Sequence, residues 1–168
     1  MAMKLAFCLN YYFPFGGLQR DFLRIARVCQ SRGHSISVYT MCWQGERPAG
    51  FSINIVKPHG LTNHARSLNF ARQAMEQLAG SKCDLVIGFS RMPGLDVYYA
   101  ADSCYREKVF STRPFLSRLG GRFRVYSAME QAVFDPAAKT EILLIAENEK
   151  AKFMRHYGTP DERFHLLP

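Results

Sequence analysis

The sequence lacks the patterns that identify most membrane, metal-binding and dinucleotide-binding proteins. No run approaches the ~20 apolar residues that a transmembrane helix needs. The five cysteines are odd in number and no two have C-x-x-C spacing, which argues against a zinc site or a disulfide framework. The H-E-x-x-H, G-x-G-x-x-G, Walker A and G-x-S-x-G motifs are absent. We therefore expect reduced, mostly buried cysteines, no bound metal or cofactor, and no secretory signal, because the apolar run at residues 5–9 is too short.

The composition is that of a folded, basic protein rich in aromatic side chains. Of the 168 residues, 48% are hydrophobic and 13% aromatic, which excludes a disordered chain and favours one domain with a substantial core. The formal net charge is +8, from 22 Lys and Arg against 14 Asp and Glu. Such an excess predicts an anionic partner, which could be a phosphorylated small molecule, an acidic lipid surface or nucleic acid.

Apolar periodicity predicts strands that alternate with helices. Leu18, Phe22, Ile25, Ala26 and Cys29 form one apolar stripe at helical spacing, and Gly33 suits the left-handed end of that helix. Further helices are predicted over residues 63–78 and 148–157, with partly helical structure over 105–134. Strands are predicted at residues 4–9, 35–41, 51–56, 84–89, 97–101, 141–146 and 164–167. This alternation predicts a Rossmann-like α/β fold: a parallel sheet with helices on both faces.

A glycine pair, Gly16-Gly17, lies between the first predicted strand and the first helix. A helix N-terminus presents free N–H groups and a partial positive charge, and glycine allows a phosphate to approach the backbone closely. In open α/β sheets ligands bind at the carboxyl ends of the strands, where this loop falls. The pair is therefore a candidate phosphate-binding loop, although a plain strand-to-helix turn also explains it.

Longer strings around these glycines resemble the bacterial lipopolysaccharide-core glucosyltransferases. They are YYFPFGGLQRDFLRIA (residues 11–26), Asn63-His64, GFSRMPGLDVYYAADSCYREK (88–108) and ERFHLLP (162–168). The resemblance implies a GT-B enzyme, with two Rossmann-like domains across a cleft, that transfers glucose from UDP-glucose to an inner-core heptose with retention and without a metal. It also implies that residues 1–168 are the N-terminal, acceptor-side domain, that the C-terminal donor-binding domain is absent from this chain, and that the chain alone is inactive.

The resemblance assigns donor-side and catalytic roles. Gly16 and Gly17 would contact the donor diphosphate through backbone N–H groups, and Asp21 would bind a sugar hydroxyl. Asp21 could instead only complement the dipole of the first helical turn. Asp102, after an apolar strand, is the candidate catalytic residue that orients the acceptor or takes its proton. A phosphate oxygen of the leaving UDP could take that proton instead, and Asp102 could simply form a turn.

Three further residues are candidates for binding the acceptor: Asn63, His64 and Arg91. Asn63 is also a good helix N-cap, which is the plain structural interpretation of that position. Arg91, in the SRMPG loop after the strand at residues 84–89, could pair with a phosphate on the acceptor heptose.

The stretch at residues 105–126 is basic and aromatic, with Pro114 and Gly120-Gly121 interrupting any continuous helix. Cations are attracted to anionic leaflets and aromatic rings settle at the interface. Because the acceptor implied by the resemblance is lipid-anchored, this stretch predicts peripheral attachment to the inner face of the cytoplasmic membrane. The alternative is a helix with its apolar face in the core. The candidate membrane-binding residues are Arg106, Lys108, Arg113, Phe115, Arg118, Arg122, Phe123 and Arg124.

Two other functions remain open at this point. A related GT-B transferase with another donor or acceptor would have the same features. A non-catalytic basic domain could use the Arg-aromatic stretch to bind nucleic acid, but no RRM, KH or helix-turn-helix signature is present and the glycine loop would go unexplained. We therefore expect a UDP-sugar, a lipid-anchored acceptor and an anionic membrane as partners, and no nucleic acid.

Overall fold

A computed structural model describes all of residues 1–168 and confirms the predicted alternation of strands and helices. The strands are β1 Lys4–Cys8, β2 Tyr11–Tyr12, β3 Ser35–Thr40, β4 Cys42–Trp43, β5 Phe51–Ile55, β6 Leu85–Gly88, β7 Val97–Ala100, β8 Glu141–Leu144 and β9 Phe164–Leu166. The helices are α1 Gly17–Ser31, α2 Asn63–Ala79, α3 Tyr105–Thr112, α4 Gly121–Phe134 and α5 Glu147–Tyr157, with short 3-10 turns at Phe115–Leu119 and Asp161–Arg163. None of the helices has the length and apolar character required to cross a bilayer.

Seven of the strands form one parallel sheet in the order β5-β3-β1-β6-β7-β8-β9. On one side of β1 the chain adds β3 and then β5, and on the other side it adds β6, β7, β8 and β9 in sequence order. The direction therefore reverses between β1 and β6, which pair directly from Leu5 beside Leu85 to Cys8 beside Gly88. This reversal is the topological switch point at which open α/β sheets bind ligands.

Alternate residues of the strands enter two cores on opposite faces of the sheet. On one face Leu5, Phe7 and Leu9 pack with Phe22 and Ala26 of α1, which confirms the apolar stripe predicted for that helix. On the other face Ala6 and Cys8 belong to a larger core formed with α2, α4 and α5. Helices thus cover both faces, as predicted.

The ends of the helices follow local chemistry. Gly33 has φ +89° just after α1, and Gly158 has φ +68° as the left-handed cap of α5, as the sequence predicts. Pro114 precedes the 3-10 turn and Gly120 is the N-cap of α4. The helical structure of the basic aromatic stretch is therefore interrupted at Pro114 and at Gly120-Gly121, as the sequence predicts.

A small second sheet, β2 paired with β4, was not predicted. Tyr12 stacks on Trp43 with ring centroids 3.8 Å apart and an interplanar angle of 16°. Both two-residue strands lie just beyond the carboxyl ends of β1 and β3. They hold the chain close to the sheet edge before the loop at residues 13–16 enters α1.

Candidate functional site

A crevice opens at the carboxyl edge of the sheet, where β1 and β6 meet. It consists of a larger cavity of about 320 Å³ and a smaller one of about 200 Å³. Asn10, Ser90 and Asp102, from the loops after β1, β6 and β7, line both cavities. The smaller cavity also touches Leu18 and Gln19 in the first turn of α1, so the two cavities form one crevice beside the N-terminus of α1.

Asn10 and Ser90 form the floor at the switch point. The Asn10 backbone N–H donates to Ser90 Oγ at 2.9 Å, and the Asn10 carbonyl accepts from the Met41 N–H at 2.9 Å. The side-chain oxygen Asn10 Oδ1 is buried and has no hydrogen-bond partner in the protein. Buried polar atoms are nearly always hydrogen-bonded, so this acceptor is available to a ligand or a water molecule. The sequence predictions missed both residues, although each directly follows an apolar strand run.

The glycine pair forms the N-terminus of α1. Gly16 is the N-cap, with φ −81°, and no side chain caps the helix. A Cβ on Gly16 would lie 1.8 Å from Gln19 Oε1, whereas a Cβ on Gly17 would meet nothing within 4 Å. A side chain at Gly16 would require Gln19 and the Phe13 ring to move, while Gly17 leaves open space over the uncapped helix end. Uncapped N–H groups with clear space above them suit an anionic ligand.

Asp21 is in the second turn of α1, because the helix begins at Gly17; the prediction placed it in the first turn. Its Oδ2 accepts a hydrogen bond from the Tyr99 hydroxyl at 2.9 Å. Burial and the Asp21 carboxylate raise the pKa of Tyr99 to about 12, so the hydroxyl keeps its proton and donates it to Asp21. Part of the acceptor capacity of Asp21 is thus used inside the protein.

Asp102 has an exposed side chain at the rim shared by the two cavities, just beyond β7. Its backbone carbonyl and that of Ser103 accept hydrogen bonds from Arg91 Nη2 at 3.3 and 2.8 Å. Arg91 also forms an ion pair with Glu130, Nη1 to Oε1, at 3.0 Å, and its side chain is only 14% exposed. Arg91 therefore lines the cavity but already holds the Asp102–Ser103 loop and neutralises a carboxylate.

Glu130 was not predicted as functional, yet it organises this wall of the crevice. Its side chain is fully buried. It accepts from the backbone N–H groups of Tyr105 at 2.7 Å and Arg106 at 3.1 Å, which are the first two residues of α3, and from the Tyr157 hydroxyl. Burial and Glu130 raise the pKa of Tyr157, which keeps that hydroxyl a donor. One carboxylate from α4 thus holds Arg91 and the N-terminus of α3 together.

Asn63 and His64 lie at the start of α2, but neither is its N-cap. Thr62 is the N-cap, and its Oγ1 accepts from the Ala65 N–H at 3.2 Å, so the suggestion that Asn63 caps the helix is wrong. The His64 ring lies 6.5 Å from the ring of Tyr126, which lines the larger cavity. Asn63 is exposed and is not part of either cavity wall.

The predicted membrane-binding residues separate into three groups. Lys108, Arg113 and Arg122 line the larger cavity. Arg106 and Phe123 are held within the protein: Arg106 lies 4.7 Å over the Tyr157 ring, and Phe123 stacks on Tyr105 and Phe110. Phe115, 66% exposed, and Arg124, also exposed, face outward. Arg118 is half-buried: it lies 4.2 Å over the Phe110 ring and donates to the Phe110 carbonyl at 3.3 Å.

No group of three or more His, Cys, Asp or Glu side chains is placed to hold a metal ion. His156 and His165 each pair with a single glutamate, Glu107 and Glu141 respectively. The five cysteines are all free, but only Cys8 and Cys104 are buried, so the prediction that most of them are buried is wrong.

Comparison with known proteins finds relatives that are glycosyltransferases. No family model matches the chain. The chain is 46% identical over 166 residues, 99% of its length, to the lipopolysaccharide glucosyltransferase WaaG of Escherichia coli strain K12. It matches the crystal structure of WaaG, a glycosyltransferase involved in lipopolysaccharide biosynthesis, with a TM-score of 0.96 and 46% identity over 98% of the chain. It matches sucrose-phosphate synthase of Thermosynechococcus elongatus with a TM-score of 0.64 over 99% of the chain at 11% identity, which shows a shared fold alone.

The predicted resemblance and the predicted fold class are both confirmed by these matches. The chain spans less than half the length of the proteins it matches: 44% of WaaG and 48% of the synthase. The chain is thus a homologue of WaaG over the part of that protein that it covers.

Proposed function

We propose that this WaaG homologue is the acceptor-side domain of a GT-B glycosyltransferase that transfers glucose from UDP-glucose to an inner-core heptose of lipopolysaccharide, with retention. Because the chain spans 44% of the relative it matches, we propose that the remaining part of such a protein supplies a second, donor-binding lobe. The chain alone is then expected to be inactive, since donor and acceptor meet only between two lobes.

One observation carries this proposal: the crevice at the switch point lies beside the uncapped N-terminus of α1. A nucleotide-sugar diphosphate needs N–H donors and a positive dipole, and this helix end offers both. Gly17, with no atom near its missing Cβ, gives the diphosphate close access to the backbone. Asp21 is proposed to bind a sugar hydroxyl with the carboxylate capacity that Tyr99 leaves unused.

Asp102 is the proposed catalytic residue. Its carboxylate is exposed at the rim where the cavities meet, so an acceptor hydroxyl can reach it there. General-base removal of a proton contributes about 10²–10⁴-fold to a rate. If Asp102 is the base, Asp102→Asn in the full-length protein lowers kcat by that factor. If a phosphate oxygen of UDP takes the proton, kcat changes little and KM for the acceptor rises.

The experiment that tests the proposal is transfer of radiolabelled glucose from UDP-glucose to a heptose-containing core acceptor by the full-length protein. Gly17→Ala adds a methyl group in the space assigned to the diphosphate, so KM for UDP-glucose is expected to rise about tenfold, the effect of losing about one charge-assisted hydrogen bond. Gly121→Ala is the matched control, because Gly121 is likewise the first residue of a helix. Absence of transfer, or equal KM values for the two variants, would refute the proposal.

Transfer is proposed to need no metal, as the resemblance implies. Dialysis against EDTA is expected to leave the transfer rate unchanged, and a rate restored only by a divalent cation would contradict this. Salt-sensitive oligonucleotide binding without any UDP-glucose transfer would instead favour the nucleic-acid alternative.

Peripheral membrane attachment is proposed through the outward group of the basic aromatic stretch. Phe115, Leu116 and Leu119 are 66%, 75% and 65% exposed on one short 3-10 turn, with Arg118 between them and Arg124 nearby. A contiguous apolar patch flanked by cations suits an anionic leaflet. Sedimentation with anionic vesicles is expected to depend on salt and to weaken in Phe115→Ser. Equal binding to neutral vesicles would contradict the electrostatic contribution.

A further inference from the structure

The larger cavity has cationic walls on one side. Lys108 comes from α3, Arg113 is the residue that ends α3, and Arg122 comes from the first turn of α4. Although Pro114 and the 3-10 turn separate these residues along the chain, their side chains border the same space of about 320 Å³. Three positive charges around one cavity repel one another, and an anion bound between them would offset that repulsion.

These three cations have no acidic partner within the chain, because the seven ion pairs involve none of them. The fourth cation of the cavity, Arg91, is already paired with Glu130. Asp102 is the one acid among the lining residues. With three unpaired cations against this one carboxylate, the cavity has a net positive charge.

Polar groups accompany the charges. The cavity wall includes the hydroxyl-bearing residues Ser67, Ser103, Tyr105 and Tyr126, and only four of its 13 lining residues are hydrophobic. Arg91 Nε is buried without a partner in this wall, as is Asn10 Oδ1 in the floor. A wall that combines hydroxyl groups with the unused donor of Arg91 and the unused acceptor of Asn10 suits a polyhydroxylated ligand better than an acyl chain.

We propose that Lys108, Arg113 and Arg122 form an anion subsite that binds a phosphate or carboxylate substituent on the acceptor glycan. This inference rests on the proposed function and extends it, by naming the chemistry that the acceptor must carry beside its reacting hydroxyl. Asp102 lines both cavities, whereas the three cations line only the larger one. The reacting hydroxyl therefore lies towards Asp102 and α1, and the anionic substituent lies towards α3 and α4.

The subsite also divides the basic stretch by function. Lys108, Arg113 and Arg122 line the larger cavity, whereas Arg124 lines neither cavity; all four residues are exposed. The cavity-lining cations serve glycan recognition, and Arg124 serves contact with the membrane surface. The two roles can therefore be separated by substitution.

The test is titration of the full-length protein with a deacylated, water-soluble core oligosaccharide, followed by amide NMR shifts or calorimetry. The oligosaccharide is used in four forms: untreated, dephosphorylated with phosphatase, with its carboxyl groups reduced to alcohols, and with both treatments. Binding is expected to weaken about tenfold in whichever treated form loses the bound anion, which identifies phosphate or carboxylate as the source. Equal affinity of the untreated form and a doubly treated form would overturn the subsite.

Two variants provide crossed controls. Arg113→Gln is expected to weaken binding of the untreated oligosaccharide about tenfold and to leave sedimentation with anionic vesicles unchanged. Arg124→Gln is expected to do the reverse. If Arg113→Gln weakens vesicle binding alone, the cation serves the lipid surface and the proposal is wrong. No binding of any oligosaccharide form also overturns the subsite, while glucose transfer by the same preparation would show that the proposed function stands.

Discussion

Glu130 offers a stringent test of how the crevice is built, because one buried carboxylate serves five donors. They are Arg91 Nη1, the backbone N–H groups of Tyr105 and Arg106, the Tyr157 hydroxyl and, at 3.8 Å, the Cys104 thiol. Breaking a buried ion pair by removing one partner costs about 3–5 kcal/mol. Glu130→Gln keeps one acceptor oxygen, so we expect a loss of about 3 kcal/mol, and Glu130→Ala keeps none, so we expect about 5 kcal/mol.

The reciprocal substitution is expected to cost less. Arg91→Met removes the cation, but Glu130 still accepts hydrogen bonds from two backbone N–H groups and one hydroxyl. Hydrogen bonds to the charged form stabilise a carboxylate without a counter-ion. We therefore expect a loss of about 1.5–3 kcal/mol for Arg91→Met, the value of hydrogen bonds to a charged group.

Urea denaturation followed by circular dichroism measures these differences as midpoint shifts at constant m. Glu76→Gln is the control, because the Glu76–Arg72 pair is 67% and 68% exposed and surface pairs contribute about 0–1 kcal/mol. The reasoning is refuted if Glu130→Gln unfolds at the same urea concentration as Glu76→Gln. It is also refuted if Arg91→Met is more destabilised than Glu130→Gln.

Three further predictions concern the helix ends and a buried phenol. Thr62→Ala should cost about 1 kcal/mol of unfolding free energy and Asn63→Ala much less, since Thr62 is the N-cap; equal losses in thermal melts would contradict this. Gly16→Ala should lower the thermal midpoint, because the new Cβ would collide with Gln19 Oε1, and unchanged melting would show that Gln19 can move freely. Burial raises the pKa of Tyr98 to about 12, so the unfolded chain loses this proton first and stability falls as pH rises from about 10 to 12. Tyr98→Phe should reduce the fall in unfolding free energy with pH by about 1.4 kcal/mol per pH unit, measured by urea titrations at several pH values.

Much of the candidate site was predictable because it lies at the ends of predictable strands. Gly16-Gly17 and Asp102 follow β1 and β7, and the carboxyl ends of parallel strands meet at one edge. Asn10 and Ser90 follow β1 and β6 in the same way and could have been chosen by the same rule. They were missed because neither belongs to a motif, and their shared feature, the 2.9 Å hydrogen bond between them, joins residues 80 positions apart.

Other features could not be derived from local pattern. The apolar spacing in α4 places Glu130 among buried neighbours, but its partners come from the loop after β6, the start of α3 and the end of α5. Likewise, the choice of Thr62 over Asn63 as N-cap depends on which residue first takes helical dihedral angles, since both side chains suit the position.

The sequence by itself determined the order and type of the main elements, because the burial of alternate or helically spaced side chains is a property of contiguous residues. It also determined where the helices end, through Gly33, Pro114 and Gly158. Only the tertiary structure decided which cations of the basic stretch face the cavity and which face outward. That division depends on how α3 and α4 pack against the sheet edge and on where Glu130 holds them, and no spacing along the chain encodes those distances.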